Sequence, residues 1–299
     1  MRVGILSFRP LDKPISYEEG RLRTAVRELG YKPKVLRAAN CELYFDKAGL
    51  TLYYLGKKFP SLDVVIPRVS ILNNVDLQSS VVRQLELVGM PVLNKYDAIV
   101  RAKNKLKTLQ ILSHYGIPIP KTVVIGSRDD LKSAIDRVGG APVILKYPFG
   151  SLGSGVVIAE SYRAALSTLD LLWSSAVTQI MLVQEYVKES KGKDTRVFVV
   201  GGKVVASMQR SAKKGEFRSN AALGGSGKSI EISDEYKDIA IKSAELLGLE
   251  MAGVDIITTN NGPAVLEVNC NPGFEELEEA TRVDVAKAIV ERAVELPVA

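Results

Sequence analysis

The amino-acid sequence predicts an α/β protein, α+β in parts, in which an N-terminal domain with a parallel sheet precedes two α+β subdomains. Two observations support this fold class. In the first 95 residues, short apolar segments typical of buried strands alternate with segments at helical spacing, which is the pattern of a parallel sheet. In the last third, strand segments face each other across short glycine-containing turns, which is the pattern of antiparallel hairpins. We therefore predict domains at 1–95, 96–183 and 184–299.

The predicted N-terminal domain begins with a strand that leads into a helix. Gly30 follows this helix at the position of a C-terminal cap, where glycine adopts a left-handed conformation without strain. Pro67 stops a later buried strand, and Gly89 closes a second helix. The predicted strands are 3–7, 34–36, 63–66 and 91–94, and the predicted helices are 17–29 and 77–88.

The predicted central subdomain begins with one long basic helix, 96–115, which Gly116 closes. A glycine-rich loop, Gly150 to Gly155, then separates two short apolar strands. The remaining elements predicted here are strands 122–125, 143–146, 156–159 and 180–183 and a helix over 129–138.

Two hairpins dominate the predicted C-terminal subdomain. Gly201-Gly202 joins two apolar strands and is typical of a two-residue hairpin turn. The second hairpin turns at Asn260 to Pro263. The predicted strands are 197–200, 203–206, 253–258 and 264–269, and a helix is predicted over 234–247.

Composition narrows the possible functions. Two cysteines and one histidine cannot supply a disulfide framework or a histidine-rich metal site. No apolar run reaches the roughly 18 residues of a membrane span, so we expect a cytoplasmic protein with no membrane association. A net charge of +6 indicates anionic partners but is well short of a dedicated nucleic-acid binder, and no direct nucleic-acid role is expected. Lysines, arginines, carboxylates and backbone amides must therefore carry the chemistry.

Asp255, Glu267 and Asn269 form the most specific candidate constellation. Glu267 and Asn269 are two apart in a strand and share a face. A hairpin that pairs symmetrically about Asn261 places Asp255 directly opposite Glu267. Three oxygen ligands without nitrogen or sulfur suit Mg²⁺ or Mn²⁺. The alternative is a polar, solvated hairpin face, on which two opposed carboxylates would repel each other.

The glycine-rich loop allows two interpretations. It is either a flexible connection between strands or a lid whose backbone N–H groups cover phosphates. It is not a Walker loop, because no Gly-Lys-Ser/Thr follows and the next element is a strand. The residues of the candidate lid are Gly150, Ser151, Gly153, Ser154 and Gly155.

For each charged residue near this loop, a structural role is an alternative to a role in ligand binding. Lys146 ends an apolar strand and either extends to solvent or meets an anion at the root of the loop. Lys105 lies in a basic run that is typical of a solvated helix face. Asp194 and Arg196 share a strand face, where a structural ion pair is the default expectation.

Taken together, these segments resemble the ATP-grasp superfamily, and within it the RimK-type glutamate ligases. The resemblance extends over essentially the whole chain in a specific order. It includes Asn94, Lys105, Lys146 and the loop from Gly150 to Gly155. The other matching segments are Val138-Gly139-Gly140-Ala141-Pro142, Val183-Gln184-Glu185-Tyr186, Asp194-Thr195-Arg196, Phe217-Arg218-Ser219-Asn220, Ala252-Gly253-Val254-Asp255 and Glu267-Val268-Asn269-Cys270-Asn271-Pro272-Gly273.

The resemblance implies a role for each matching residue. It implies that Lys105 and Lys146 bind ATP phosphates beneath the lid, and that Arg210 faces the transferring phosphate and Arg196 the acceptor or acyl phosphate. It also implies that Asp255, Glu267 and Asn269 bind two Mg²⁺ or Mn²⁺ ions. The remaining implied nucleotide contacts are Glu185, Tyr186, Val187, Asp194, Arg218, Ser219 and Asn220.

The function implied is ATP-dependent addition of L-glutamate to an acidic acceptor through an acyl phosphate. The acceptor is expected to be a protein ending in glutamate, such as a small-subunit ribosomal protein, or polyglutamate. One alternative acceptor is a small cofactor with a glutamate tail, such as tetrahydromethanopterin or a deazaflavin coenzyme. Another alternative is a non-catalytic nucleotide- or nucleic-acid-binding protein. A homo-oligomer is also expected.

Overall fold

The computed structural model describes residues 1–70, 75–148, 155–174, 179–190, 192–213 and 226–296. No helix within these residues is both long enough and apolar enough to cross a lipid bilayer.

The N-terminal part is built on a parallel sheet in the order β2-β1-β6, which confirms the parallel sheet predicted from the sequence. The first helix starts at a capping box, in which the Ser16 hydroxyl accepts from the Glu19 N–H and the Glu19 carboxylate accepts from the Ser16 N–H. The elements are β1 (Arg2–Ser7), α1 (Tyr17–Glu28), β2 (Lys32–Arg37), β3 (Cys41–Asp46), β4 (Gly49–Tyr54), β5 (Lys57–Lys58), β6 (Val64–Arg68), α2 (Val75–Gln78) and α3 (Ser80–Leu87).

Three features of this part differ from the prediction. The antiparallel sheet β3-β4-β5 was not predicted. The predicted helix 77–88 is interrupted at Ser79, whose hydroxyl donates to the Val75 carbonyl. The predicted strand 91–94 is wrong: it forms only one parallel bridge, from Val92 to Val65. Asn94 has a φ of 66°, a left-handed conformation that cannot continue a strand.

The central part contains a four-stranded sheet in the order β7-β10-β8-β9. The single helix predicted over 96–115 is wrong, because Asn104 is extended (φ −107°, ψ 105°) and divides it into two helices. The elements are α4 (Tyr96–Lys103), α5 (Lys105–His114), β7 (Thr122–Ile125), α6 (Leu131–Arg137), β8 (Val143–Lys146), β9 (Val156–Ala159), α7 (Tyr162–Ser174) and β10 (Met181–Glu185).

The C-terminal part contains an antiparallel sheet in the order β13-β12-β11-β14-β15. Both predicted hairpins are present, as β11–β12 and β14–β15. The elements are β11 (Lys193–Val200), β12 (Lys203–Ser211), β13 (Ser226–Ser229), α8 (Asp234–Leu247), β14 (Met251–Thr259), β15 (Gly262–Asn269), α9 (Glu275–Thr281) and α10 (Val285–Val294).

The N-terminal and C-terminal sheets share their hydrophobic cores. Leu6 and Val65 of the parallel sheet belong to the same buried cluster as Val197 and Val254. The central sheet instead packs its helices α6 and α7 into a separate core that includes Leu145. The division at 1–95, 96–183 and 184–299 remains a prediction.

Candidate active site

The hairpin β14–β15 places Asp255 directly opposite Glu267, which confirms the predicted pairing. The hairpin is not symmetric, however. On the turn side Ile256 pairs with Val265, so Leu266 is an extra residue and the ladder shifts beside Asp255. A bulge of this kind turns side chains that would otherwise follow the regular alternation. The local irregularity therefore lies at the candidate metal site.

Two arginines neutralise Asp255. Arg196 binds both of its carboxylate oxygens through Nε and Nη2, and Arg210 Nη2 lies 2.9 Å from Oδ2. Burial by itself would raise the pKa of Asp255, but Arg196 and Arg210 outweigh burial and hold this pKa below its ordinary value. The carboxylate is therefore ionised although it is only 4% exposed.

The ion pairs join neighbouring strands. The expected pair between Asp194 and Arg196 on one strand is wrong, because β11 lies between β12 and β14. Asp194 instead receives two 2.7 Å bonds from Arg210, which is its register partner on β12. Arg196 faces its register partner Asp255 on β14. The four side chains form one buried network of alternating charge, which we call the Asp255 network.

Lys146 is buried at the end of β8, so the interpretation that it extends to solvent is wrong. Its Nζ donates to Gln184 Oε1 at 2.6 Å, and Gln184 Nε2 in turn donates to Thr122 Oγ1 at 2.9 Å. Burial lowers the pKa of Lys146 to about 8; Glu267 opposes this shift and Lys105 adds to it. Lys146 is thus a cation that lacks a contacting carboxylate within the described residues, which favours an anionic ligand.

Lys105 begins α5 and does not lie on a fully solvated helix face. The Asn104 side chain caps this helix by accepting from the N–H groups of Leu106 and Lys107. The Lys105 N–H donates to the Pro148 carbonyl at 2.9 Å, which ties the start of α5 to the chain entering the glycine-rich loop. Its Nζ lies 3.5 Å from Glu267 Oε1. The capped helix therefore directs a lysine toward the candidate metal site.

A pocket joins these residues. It lies between α5, the central sheet and β15, and both lysines reach it from different elements. Its lining includes Lys105, Lys146, Leu182, Gln184, Leu266 and Glu267. Apolar walls beside two cations and a carboxylate suit a ligand with a flat apolar part and a charged part.

The segment Glu185-Tyr186-Val187 directly follows the pocket residue Gln184. The Glu185 carboxylate accepts from the Lys121 N–H at 2.8 Å, and the Glu185 N–H donates to the Lys121 carbonyl at 2.9 Å. Val187 is buried against Ile257 and Ala264. Tyr186, between them, is partly buried. The nucleotide contacts that the resemblance implies for this segment remain predictions.

Several predicted contacts lie outside the described residues. These are Gly150, Ser151, Gly153 and Ser154 of the loop, together with Arg218, Ser219 and Asn220. Gly155, at the far end of the loop, has a φ of 73°, and a Cβ added to it would lie 3.1 Å from Tyr147 Cδ2. A larger residue would be strained there.

The donor set fits a hard divalent cation. Asp255 and Glu267 provide carboxylate oxygens, and Asn269 pairs with Gly253 two positions along the same hairpin. Within the described residues, no three side chains of His, Cys, Asp or Glu come together, so an amide is the available third ligand. The Asn269 amide faces Asp255, with 3.5 Å between Nδ2 and Oδ2. Oxygen-only ligands of this kind suit Mg²⁺ or Mn²⁺.

The sequence gives little indication that Asn94 and Gln184 position other residues of the site. Asn94 is buried and makes four hydrogen bonds: Oδ1 accepts from the N–H groups of Glu250 and Met251, and Nδ2 donates to the carbonyls of Met251 and Cys270. It thereby holds the start of β14 beside the end of β15. In the sequence, Asn94 is a single polar residue after an apolar segment, and this pattern does not show which residues it will contact.

Two family models together match nearly the whole chain. The family described as "RimK PreATP-grasp domain" matches residues 1–99, and the one described as "RimK-like ATP-grasp domain" matches residues 102–293. A probable alpha-L-glutamate ligase 1 of Shewanella denitrificans is 40% identical over 291 residues, covering 97% of this chain and 96% of that protein. A ribosomal protein bS6–L-glutamate ligase of Shigella boydii is 40% identical over 274 residues, covering 92% and 90%.

Solved structures show the same fold. The RimK domain ATP-grasp protein of Sphaerobacter thermophilus superposes with a TM-score of 0.76 at 21% identity, covering 98% of this chain and 99% of that one. The ATP-grasp ligase PsnB, solved with a phosphomimetic variant of a minimal precursor, Mg and ADP, gives a TM-score of 0.72 at 20% identity, covering 98% and 97%. Family, relatives and fold all agree, and the chain therefore belongs to the RimK-like family of ATP-grasp ligases.

Proposed function

We propose that this protein is an ATP-dependent glutamate ligase that joins the amine of L-glutamate to the C-terminal carboxylate of an acidic protein. One observation carries the proposal: Lys105, Lys146 and Glu267 meet in one pocket beside the buried Asp255 network. Such a set binds and neutralises phosphate without a protein nucleophile. The names of the glutamate ligase relatives support glutamate as the donor and a protein as the acceptor.

The chemistry follows from these charges. An acceptor carboxylate oxygen attacks the γ-phosphorus of ATP, the bond to the β–γ bridging oxygen breaks, and ADP leaves. The amine of glutamate then attacks the acyl carbon, phosphate leaves, and the amine loses a proton to solvent. We assign Lys105 and Lys146 to the ATP phosphates, Arg210 to the transferring phosphate and Arg196 to the acyl phosphate.

We further propose that Asp255, Glu267 and Asn269 hold two Mg²⁺ ions. When bound, these ions neutralise the charge on the β- and γ-phosphates. Within the Asp255 network two aspartates balance the two arginines, so Lys105 and Lys146 supply the further positive charge beside the position proposed for the phosphates. Electrostatic stabilisation of this kind is the main contribution that phosphoryl transfer requires from a protein.

For the acceptor, we propose a polypeptide ending in glutamate, as in a small-subunit ribosomal protein, or a growing polyglutamate tail. The relative of Shigella boydii, named as a ribosomal protein bS6 ligase, favours this acceptor over a glutamylated cofactor. A homo-oligomer and a cytoplasmic location remain predictions.

The test uses two peptides that are identical except for Glu-Glu or Gln-Gln at the C-terminus. Each is incubated with the protein, ATP, Mg²⁺ and L-glutamate, and mass spectrometry counts the glutamyl residues added. We expect stepwise addition to the Glu-Glu peptide and little to the Gln-Gln peptide. Equal incorporation into both would contradict an acidic acceptor, and activity on a glutamylated pterin or deazaflavin alone would replace the protein acceptor with a cofactor.

Glu267→Ala supplies the inactive control for this experiment. We expect ligation to be abolished and the melting temperature to change little, since Glu267 is about one-third exposed and its ion pair with Lys105 is long, at 3.5 Å. Glu231→Ala, an exposed carboxylate outside the pocket, should retain activity. Near wild-type ATP turnover by Glu267→Ala in Mg²⁺ would show that the metal assignment is wrong.

A further inference from the structure

The carboxyl edge of the N-terminal parallel sheet carries positive charge. Arg37 and Arg68 end β2 and β6, and both are register partners of Ser7 at the end of β1. Adjacent strands lie about 4.8 Å apart, so the two arginines flank Ser7 at one level of the sheet. We call Arg37 and Arg68 the arginine edge. In open parallel sheets, ligands bind outside this end of the strands.

Arg68 is a buried cation with neutral partners. It is 4% exposed. Its Nη2 donates to the Pro272 carbonyl at 3.0 Å, and the guanidinium lies 5.6 Å from the ring centre of Phe274. Glu18 and Glu19 of α1 act on it electrostatically, but neither comes within 4 Å. Burying an ion without a paired charge is costly, so this position favours an anion.

Arg37 is only partly buried, but it too contacts neutral oxygens. Its Nη1 donates to Ser7 Oγ at 3.0 Å and its Nη2 to the Lys13 carbonyl at 2.7 Å. Within the described residues, no carboxylate lies within 4 Å of the guanidinium of Arg37 or Arg68. Two guanidiniums at one sheet edge that contact neutral oxygens can each accept a carboxylate with charge-assisted hydrogen bonds.

A buried acceptor without a donor lies next to this edge. Asn271 Oδ1 has no hydrogen-bond partner among the residues that the structure describes, and Asn271 directly precedes Pro272, whose carbonyl accepts from Arg68. Buried polar atoms are almost always paired in folded proteins. An unpaired amide oxygen calls for an N–H donor, which a carboxylate ligand alone does not provide.

The edge is continuous with the candidate reaction centre. A Cβ added to Gly253 would lie 2.7 Å from Pro272 Cβ and 3.2 Å from Arg196 Cδ, so Pro272 packs between the arginine edge and the Asp255 network. Asn271 follows the candidate metal ligand Asn269 by two residues. Asn271 therefore lies in the chain segment that connects the candidate metal site with the residue that contacts the arginine edge.

We propose that the arginine edge and Asn271 form the binding site of the incoming L-glutamate. Arg37 and Arg68 bind its carboxylates, and Asn271 Oδ1 accepts an N–H from its amine, which points that amine toward the acyl phosphate. This assignment rests on the proposed function. A single molecule with two carboxylates and one amine would then supply partners for both guanidiniums and for the amide oxygen of Asn271.

The experiment compares L-glutamate with glutarate, which has the same two carboxylates and no amine. Calorimetry with a non-hydrolysable ATP analogue and Mg²⁺ measures the affinity of both compounds for wild type, Arg37→Gln and Asn271→Ala. We expect Arg37→Gln to weaken both by roughly tenfold or more, the effect of losing one charge-assisted hydrogen bond. Asn271→Ala should weaken L-glutamate and leave glutarate unchanged. Arg23→Gln, an exposed arginine on α1, is the matched control and should change neither.

Steady-state kinetics identify which substrate uses the site. We expect Arg37→Gln to raise the KM for L-glutamate and to preserve the KM values for ATP and for the Glu-Glu peptide. A rise in the peptide KM instead would assign the edge to the acceptor and overturn the proposal, as would unchanged glutamate affinity in both variants.

The outcomes also separate this inference from the proposed function. If wild type ligates glutamate and the variants bind it normally, the ligase function stands and the site is wrong. If wild type ligates nothing but shows the expected binding pattern, the site stands and the proposed reaction is wrong.

Discussion

At the scale of single residues, burial determines what Lys146 can do. Its ammonium contacts the Gln184 amide oxygen and no carboxylate within the described residues, so the cost of burial is not offset by an ion pair. The resulting pKa of about 8 means that the charge is incomplete near neutral to alkaline pH. A bound phosphate would restore the full charge. Lys146 therefore links nucleotide binding to protonation.

We expect ATP binding to take up about half a proton at pH 8 and much less at pH 6.5, because Lys146 is half deprotonated in the free protein only near its pKa. Lys146→Met preserves the apolar stem of the side chain and should weaken ATP binding by about 1–3 kcal/mol. Calorimetry in buffers of different ionisation enthalpy measures both quantities.

In Lys146→Met the proton uptake at pH 8 should disappear. Lys107→Met, an exposed lysine on α5, is the control and should match wild type in affinity and proton uptake. Unchanged ATP affinity in Lys146→Met would remove this lysine from the nucleotide site.

The same lowered pKa has a consequence for folding. The unfolded chain holds the Lys146 proton up to about pH 10.5, whereas the folded protein releases it near pH 8. Between these values the unfolded state binds more protons, so this residue makes the folded state more stable as pH rises.

At the scale of secondary structure, Asn104 determines where Lys105 lies. Its extended backbone ends α4, and its side chain then caps α5. Lys105 is consequently the first residue of a new helix, where it can reach Glu267. In an unbroken helix 96–115 the same lysine would be an interior residue of a basic face.

Asn104→Ala should lower the free energy of unfolding by about 1 kcal/mol, the usual cost of losing an N-cap side chain. It should also weaken ATP binding, because the first turn of α5 carries Lys105. Denaturant titration and calorimetry measure the two effects. Ser16→Ala removes the cap of α1 and should cost similar stability without a change in ATP affinity. Equal ATP affinity in both variants would contradict a positioning role for Asn104.

At the scale of the whole molecule, the N-terminal and C-terminal sheets act as one body. They share buried clusters, and Asn94 bonds to Met251 at the start of β14 and to Cys270 directly after β15. This packing brings the arginine edge beside the Asp255 network, although the two are far apart in the chain. Within the described residues, Lys146, Arg37 and Arg68 are cations that no carboxylate contacts, in a chain whose net charge is +6.

We expect kcat/KM for an acidic peptide to fall as salt rises, because the Debye length shrinks from about 10 Å at 0.1 M to about 3 Å at 1 M. The decline should be steeper for a peptide with four C-terminal glutamates than for one with two. Steady-state kinetics in a KCl series, at fixed Mg²⁺ and ATP, give the slope of kcat/KM against salt for each peptide. Because salt affects nucleotide binding equally in both series, the difference between the slopes reports on the peptide alone. Equal slopes would argue against electrostatic steering of the acceptor.

The local sequence pattern was sufficient to predict part of this fold. The strands β1 and β6 were predictable because continuous apolar runs bounded by turn residues are typical of buried strands, and the short β2 was located from its place after the helix that Gly30 closes. The pairing of Asp255 with Glu267 was predictable because the two strands adjoin through a short turn, so chain connectivity limits the register. The sheet β3-β4-β5 was not predicted, since its apolar segments, Leu43-Tyr44-Phe45 and Leu52-Tyr53-Tyr54, are short, and several of its aromatic residues, including Phe45, are exposed.

The sequence by itself determined the fold class, the hairpins and the residue types available for chemistry, because these depend on neighbours within a few positions. Only the tertiary structure decided that Asp194 pairs with Arg210, that Arg196 pairs with Asp255, and that Lys146 is buried. These outcomes depend on which strand lies next to β11 and on what covers β8. Ion pairing and burial are set by distances between segments remote in the chain, and local periodicity contains no information about those distances.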